Sequence, residues 1–294
     1  MPFYEEVVEV IRAAHGFGSG DDVAFETHLR NLVPALHELR ASYRSGWGSV
    51  AVKYTRAVTE AYMLAYYPHY VSLTRRALDV LPTGALVDAP SMRVCAFASG
   101  PAPEPIALAQ YLRGKRYGTQ TLALALFDIV PDRWQWARSL SVERLLPPVW
   151  DGQIRVPETP VVDITSPGFT ATVSAFVARA DLVFFQNCLY EFPANQAHVQ
   201  DNARELISTM KPGAVLLMAD INNYPTGRAC LDTFATVVGL DADVLHLPEE
   251  LLTVAPAPHR PAVLDLHFFL DGEYPRSRQF EFRCLAARVT RGTS

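Results

Sequence analysis

Short apolar runs alternate with helical or loop segments from Met92 to the end of the chain. Strands buried on both faces are continuously apolar, and helices return the chain across the sheet, so this alternation is typical of a largely parallel sheet with helices on both faces. Only DGEYPRSRQ separates the last two runs, so we expect those two to pair antiparallel at the sheet edge. The runs that predict seven strands are RVCAFAS, TLALALFDI, PVVDIT, DLVFFQN, AVLLMADI, VLDLHFFL and FEFRCLAARV.

The first 82 or so residues show no strand-like alternation. Apolar residues recur at three- and four-residue spacings, which predicts amphipathic helices in FYEEVVEVIRAA, AFETHLRNLVPALHELRASYRS and SVAVKYTRAVTEAYMLAYYPHYVSLTRRALDVL. Asp21 or Asp22 can cap the second helix, and Pro68 should end or kink the third. We therefore predict a helical N-terminal cap or lid over residues 1–85 and a sheet-based core over residues 86–294.

Charge and hydropathy narrow the class of partner. A net charge of −5 and a pI near 5.9 argue against a protein that works mainly by neutralising nucleic-acid phosphates. No apolar run approaches the roughly 20 residues that span a bilayer, and the N-terminus is acidic where a secretory signal is basic. We expect a cytoplasmic protein with a small-molecule partner, no nucleic acid and no membrane. The four cysteines lie far apart without a CxxC pair, so buried thiols and no metal site are predicted.

The ends of the first two predicted strands carry candidate ligand-binding residues. MRVCAFASGPAPEPIALAQYL indicates a strand, a sharp turn around Gly100 and a helix, and LALALFDIVP reaches Asp128 after a wholly apolar run. Open α/β sheets bind ligands at the carboxyl ends of their strands. A carboxylate there suits both hydroxyls of a ribose, although Asp128 could instead cap the next helix.

Three motifs in this order resemble the class I S-adenosylmethionine-dependent methyltransferases, over about residues 86–294. VCAFASGPAPEPIAL is similar to the first motif of that family, LALFDIVPDRWQWA to the second with its ribose-binding acid, and MKPGAVLLMADI to the lysine-proline-glycine turn before strand five. The resemblance implies a Rossmann-like seven-stranded sheet with an antiparallel C-terminal strand pair. It also implies S-adenosylmethionine as cofactor and S-adenosylhomocysteine as product. A nicotinamide-binding fold is less consistent, since GxGxxG is absent.

The first motif departs from the family pattern of an acid followed by three glycines. The chain has Ala96 in place of the acid, then Ala98, Gly100 and Ala102. Alanine fits these turn positions if its φ is negative, but its methyl narrows the room beside the cofactor. The missing acid often supports the methionine part of the cofactor, and Glu104 is its nearest replacement.

The positions that match the motifs define a predicted cofactor site. Asp163 matches a side chain near the adenine amino group, and a turn-forming acid after a strand is an equal alternative. The predicted cofactor-binding residues are Ala98, Ser99, Gly100, Glu104, Asp128, Ile129, Asp163, Ile164, Gln186 and Asn187.

Candidates for the acceptor site follow the fourth strand and lie on the N-terminal helices. DLVFFQNCLYEFP is not the asparagine-proline-proline-aromatic motif of base and glutamine methyltransferases, which disfavours nucleic-acid base methylation. Asn187, Tyr190 and Glu191 are predicted to position the acceptor or to take its proton, and His69 is the nearby side chain that titrates near neutral pH. Alternatively, Asn187 caps the next helix, Tyr190 and Phe192 pack against it, and His69 is a surface or capping residue. Tyrosines at helical spacing are more often core, but a lid could present Tyr62, Tyr66, Tyr67 and Tyr70 to the acceptor.

Three functions stay open at this point. The first is in-line methyl transfer to an oxygen or nitrogen of a small molecule, as in natural-product biosynthesis. The second keeps the sulfonium cofactor but uses it for an elimination or ring closure such as aziridine formation. The third is a non-catalytic subunit that keeps the fold and binds a partner protein, which predicts no cofactor binding. A homodimer is compatible with each of these functions.

Overall fold

The computed structural model describes residues 3–44, 53–191, 196–222, 225–254, 260–270 and 280–290. The helical prediction for the N-terminal part is confirmed over these ranges. The second and third predicted helices are each divided into two helices. Pro34 and Pro68 lie in the first turn of the later helix of each pair. Ser45 at the end of the second predicted helix and the SVAV at the start of the third lie outside the described residues. The N-terminal helices are α1 (Phe3–Ala14), α2 (Asp22–Asn31), α3 (Val33–Arg44), α4 (Arg56–Ala65) and α5 (Tyr67–Asp79).

One mixed sheet follows, and it confirms the predicted fold class. The strands are β1 (Ser91–Phe97), β2 (Thr121–Leu126), β3 (Gln153–Arg155), β4 (Leu182–Gln186), β5 (Val215–Ile221), β6 (Ala242–His246), β7 (Leu252–Val254) and β8 (Phe280–Val289). Their order is β3-β2-β1-β4-β5-β8-β6, and β7 also pairs with β8. The first five strands are parallel, whereas β8 is antiparallel to β5, β6 and β7. The sheet is therefore mostly parallel with an antiparallel C-terminal part.

Two of the seven strand assignments are wrong. PVVDIT forms no strand, and its place in the sheet is taken by the short, polar β3. VLDLHFFL contains a helix, α11 (Ala262–His267). Leu264 and Phe268, four residues apart, are buried, whereas Leu266 between them is 65% exposed, which is a helical pattern. The last strand therefore has other partners and lies between β5 and β6, inside the sheet.

Helices cover both faces of the sheet. The further helices are α6 (Glu104–Lys115), α7 (Pro131–Ser139), α8 (Phe169–Val177), α9 (Gln196–Thr209) and α10 (Pro225–Asp241), and a π-helical turn (Leu140–Leu145) continues α7. One hydrophobic core joins residues of the N-terminal helices to one sheet face, and a second core lies on the other face. The first core is continuous across residue 85, where we predict a domain boundary. None of the described helices is both long and apolar enough to cross a membrane.

The four cysteines are buried, as predicted, and lie at positions 95, 188, 230 and 284.

Candidate active site

A cleft of about 190 Å³ opens beyond the carboxyl ends of β1, β2 and β4. This is the edge at which the first two motifs place their ligand, because parallel strands end there together. The cleft brings together residues that are far apart in the sequence. Those predicted to bind the cofactor and found in its lining are Ala98, Gly100, Asp128, Ile129, Asp163, Ile164, Gln186 and Asn187. Those predicted to bind or position the acceptor are Tyr62, Tyr70 and Tyr190.

The turn after β1 has alternating left-handed residues. Ala98, Gly100 and Ala102 have φ of 48°, 47° and 61°, so the negative φ at which alanine fits such a turn without strain is not adopted. This conformation costs an alanine roughly 1–2 kcal/mol. The carbonyl oxygen of Ala102 accepts hydrogen bonds from Ser141 Oγ at 2.8 Å and from Tyr67 Oη at 3.4 Å. The turn is therefore held by side chains from the π-helical turn and from α5.

Asp128 connects this turn to the end of β2. Its Oδ2 accepts the backbone N–H of Gly100 at 2.9 Å, and its Oδ1 accepts the N–H of Val130 at 3.0 Å. Because α7 begins only at Pro131, with Val130 as its N-cap, Asp128 does not occupy the capping position. Each carboxylate oxygen has two acceptor positions. Asp128 is 6% exposed and lines the cleft, so its remaining acceptor capacity is available to a ligand there.

Arg138 and Glu104 lie beneath the turn. Arg138 Nε donates to the Gly100 carbonyl at 2.7 Å, Nη2 donates to Ser99 Oγ at 3.0 Å, and Nη2 lies 3.8 Å from Asp128 Oδ2. Burial raises the pKa of Glu104 to about 8, an effect that Asp128 adds to and Arg138 opposes. Among the described residues, Glu104 Oε2 has no hydrogen-bond partner. One guanidinium thus faces two carboxyl groups, and Glu104 keeps its proton at neutral pH.

The two polar residues at the end of β4 have different surroundings. Gln186 Nε2 donates to the Tyr70 carbonyl at 2.9 Å, and Gln186 Oε1 accepts from Thr74 Oγ1, so this side chain ties β4 to α5. Asn187 has a φ of 51°, and within the described part of the chain neither atom of its buried amide group has a hydrogen-bond partner. A buried, unpaired amide costs free energy, which a ligand could recover by hydrogen bonding to it. Among the described residues, this side chain makes no capping hydrogen bond.

Asp163 forms a turn as well as lining the cleft. Its carboxylate accepts hydrogen bonds from Thr165 N at 2.8 Å, Thr165 Oγ1 at 2.6 Å and Ser166 Oγ at 3.1 Å. Burial acts to raise the pKa of Asp163, but these hydrogen bonds outweigh it and the pKa is lowered. Asp163 therefore forms the turn that the alternative interpretation expects, and it also borders the cleft.

Aromatic rings form much of the remaining wall, and sequence reasoning found only some of them. Trp134 and Tyr54 line the cleft, with ring centroids 4.4 Å apart, and Tyr62 meets Trp134 edge-on at 5.2 Å. A Cβ at Gly100 would lie 3.5 Å from the Trp134 ring. Burial raises the pKa of Tyr62 well above its usual value, so its hydroxyl is neutral. The sequence did contain a signal for Trp134. This residue belongs to PDRWQWA, the part of the second motif that forms the helix after Asp128.

Of the remaining predicted residues, those whose side chains the structure describes do not line the cleft. Ser99 and Glu104 lie below the turn, Tyr67 bonds to Ser141 in the core, and Tyr66 stacks on Tyr70 at 6.1 Å. His69 is buried with its ring edge-on to Tyr4 at 5.9 Å, so it is not a surface residue. Burial lowers the pKa of His69 to about 4. Glu191 ends a 3-10 turn (Leu189–Glu191), and its side chain lies outside the described part of the chain.

The strained turn gives a first prediction. Replacing Ala98 with glycine should raise the free energy of unfolding by about 0.5 kcal/mol, because relief of the left-handed strain exceeds the extra entropy of the unfolded chain. Denaturant unfolding measures the change. Ala229→Gly on the exposed side of α10 is the control, and it should lower the free energy of unfolding by about 1 kcal/mol. Equal destabilisation by both variants would show that Ala98 is not left-handed in solution.

The chain matches no protein-family model and no curated protein sequence. Among solved structures it is similar to an O-methyltransferase family protein from Burkholderia thailandensis, at 15% identity and a TM-score of 0.43 over 92% of this chain and 72% of that one. It is similar to the N-methyltransferase NodS from Bradyrhizobium japonicum in complex with S-adenosylhomocysteine, at 12% identity and a TM-score of 0.37 over 75% and 85%. Human N-acetylserotonin methyltransferase in complex with S-adenosylmethionine is similar at 11% identity and a TM-score of 0.38, over 99% and 67%. Likenesses of this size identify neither an acceptor nor a reacting atom, so we infer function from the motifs, the sheet and the cleft of this chain.

Proposed function

We propose that this protein binds S-adenosylmethionine in the cleft and transfers its methyl group to an oxygen or nitrogen of a small molecule. The observation that carries the proposal is the position of Asp128. A buried carboxylate at the end of β2 bonds the turn of β1 and retains acceptor capacity on a cleft wall. Both ribose hydroxyls of an adenosyl group could donate to it.

The other parts of the cofactor have candidate contacts on either side of Asp128. The adenine would lie against Ile129 and Ile164, near Asp163, which the motif resemblance assigns to the adenine amino group. The methionine part would pass the turn at Ala98 and Gly100 and come close to the buried amide of Asn187. Glu104 is not assigned a direct contact with the cofactor, because it lies below the turn rather than in the cleft lining.

The aromatic wall suits a sulfonium. Rings of Tyr62, Tyr70, Trp134 and Tyr190 border the cleft, and ring faces attract a positive charge by about 0.5–2 kcal/mol each. When bound, the cofactor would supply an electrophilic methyl group, which would pass to the acceptor lone pair as the carbon–sulfur bond breaks and leaves its electron pair on sulfur. The acceptor loses a proton. The protein would align the acceptor with the carbon–sulfur bond and keep water away.

Proton removal has fewer candidates than the sequence suggested. His69 does not border the cleft, and neutral Tyr62 is a hydrogen-bond donor rather than a base. Tyr190 lines the cleft and Glu191 follows it, so these two remain our candidates for accepting the proton. We propose a cytoplasmic enzyme in which helices α4 and α5 act as a cap that presents tyrosines to the acceptor.

Calorimetric titration tests the proposal. The intact chain should bind one S-adenosylmethionine and one S-adenosylhomocysteine in competition, and ATP, which has the adenosine group but no sulfonium, should bind far more weakly. Absence of heat with both cofactor forms would overturn the proposal and leave a non-catalytic subunit. Where binding is found, production of S-adenosylhomocysteine with small aromatic alcohols and amines then separates methyl transfer from a sulfonium-assisted elimination.

A further inference from the structure

Two histidines and a glutamate from three different helical segments meet away from the cleft. His15 follows α1, His28 lies in α2 and Glu60 lies in α4. The Nε2 atoms of His15 and His28 lie 2.9 Å and 2.6 Å from the same carboxylate oxygen, Glu60 Oε1. One atom from each residue can be chosen so that all three lie within 4.8 Å of one another.

The surroundings fix these side chains. Glu60 is buried with a side-chain exposure of 2%, while His15 and His28 are 24% and 20% exposed. The two imidazole centroids are 4.2 Å apart, and Phe17 stacks on His15 at 5.9 Å. The cluster is thus closed on the protein side by Glu60 and aromatic rings, and it is open to solvent on the imidazole side.

The second carboxylate oxygen has one imidazole and one guanidinium as neighbours. His15 Nε2 lies 3.0 Å and Arg56 Nε 3.9 Å from Glu60 Oε2, and the Arg56 guanidinium stacks over the Trp136 ring at 3.4 Å. Oε1 therefore faces both imidazoles, while Oε2 faces the His15 imidazole and a guanidinium. Carboxylates that bind metals commonly have such an outer partner, which orients them.

We propose that His15, His28 and Glu60 bind one divalent cation of the zinc class. Imidazole nitrogen and carboxylate oxygen bind Zn²⁺ at about 2.0–2.2 Å, which separates tetrahedral ligands by about 3.3 Å. The distances of 2.6 Å and 2.9 Å to Oε1 would open by less than about 1 Å, which side-chain rotation provides. Both histidines would bind through Nε2 in the neutral form, and water would fill the solvent-facing fourth position. The cation would cross-link α1, α2 and α4.

The test uses the full chain after dialysis against a chelator. Zn²⁺ titrated by calorimetry should bind at one site per chain and raise the melting temperature, since a ligand that binds only the folded state stabilises it. Co²⁺ in the same site should give visible absorption bands from nitrogen and oxygen ligands. These measurements do not depend on methyl transfer, so they stand apart from the test of the proposed function.

Two variants and a control decide the assignment. His28→Ala and Glu60→Gln should each weaken Zn²⁺ binding by more than about 100-fold, because loss of an outer partner alone costs 10–100-fold. Glu60→Gln keeps the shape of the buried side chain, and circular dichroism checks that both variants fold. His198→Ala, on the exposed face of α9, should bind as the intact chain does. No binding by the intact chain, or equal binding by all variants, would show that the imidazoles only donate hydrogen bonds to Glu60.

Discussion

Replacing Asp128 with asparagine should reduce the affinity for S-adenosylmethionine by about 100-fold or more. Hydrogen bonds to a charged acceptor are worth about 1.5–3 kcal/mol each, and the variant loses the charge that two ribose hydroxyls would meet. Asparagine has nearly the same volume, so the cleft keeps its shape. The NH₂ group of the asparagine is a hydrogen-bond donor, and it would face another donor. That donor would be either a ribose hydroxyl or one of the N–H groups of Gly100 and Val130, which donate to Asp128 in the intact chain.

Calorimetry with both cofactor forms measures this loss. Asp132→Asn is the matched control, because Asp132 is exposed in the first turn of α7, four residues further along the chain. It should bind the cofactor as the intact chain does. Since Asp128 also anchors the turn of β1, the melting temperature of each variant is measured without ligand. A folded Asp128→Asn variant with unchanged affinity would show that the ribose does not meet this carboxylate.

Replacing Glu104 with glutamine should stabilise the protein at pH 8 by about 2–4 kcal/mol, since burial raises the Glu104 pKa from near 4.5 to about 8. Below about pH 4.5 the carboxyl is protonated in both the folded and the unfolded chain, so its ionisation does not affect stability. Between the two pKa values only the unfolded chain ionises. Ionisation there favours unfolding by about 1.4 kcal/mol per pH unit, until the folded protein ionises as well.

The stability of the intact chain should therefore fall, relative to the variant, as pH rises from about 4.5 to 8. Urea unfolding at four or five pH values across this window gives the two curves. Glu143→Gln, an exposed residue of the π-helical turn, is the control and should follow the intact chain at every pH. Parallel curves for the intact chain and Glu104→Gln would mean that Glu104 ionises normally in the folded protein.

The sequence predicted those elements that are long and apolar. Strands β1, β2, β4 and β5 come from continuous apolar runs, and the Gly100 turn and Asp128 follow directly from where two of them end. The short β3 was missed because Gln153 and Arg155 are polar and exposed at the sheet edge. VLDLHFFL was assigned to a strand because an apolar run of eight residues fits a buried strand or a buried helix.

Other features of the cleft depend on contacts that no local pattern contains. The turn that contains the left-handed residues Ala98 and Ala102 is held by a hydrogen bond from Ser141, 39 residues after Ala102, to the Ala102 carbonyl. The raised pKa of Glu104 follows from its burial, which outweighs the opposing charge of Arg138. Tyr54 reaches the cleft because α4 packs against α7. These are tertiary effects, and the aromatic spacing that suggested Tyr66 and Tyr67 describes core packing instead.

The link between Gln186 and α5 has a consequence for selectivity. The side-chain amide of Gln186 forms hydrogen bonds with the Tyr70 carbonyl and the Thr74 hydroxyl. The part of α5 that carries Tyr70 is therefore fixed to the end of β4 before any ligand binds. A wall fixed in this way loses little conformational entropy on binding, and it cannot reshape itself around a bulkier molecule. We therefore expect Tyr70 to select acceptors by size and shape. Any adjustment of the cleft to different acceptors should occur on the side of Tyr54 and Trp134.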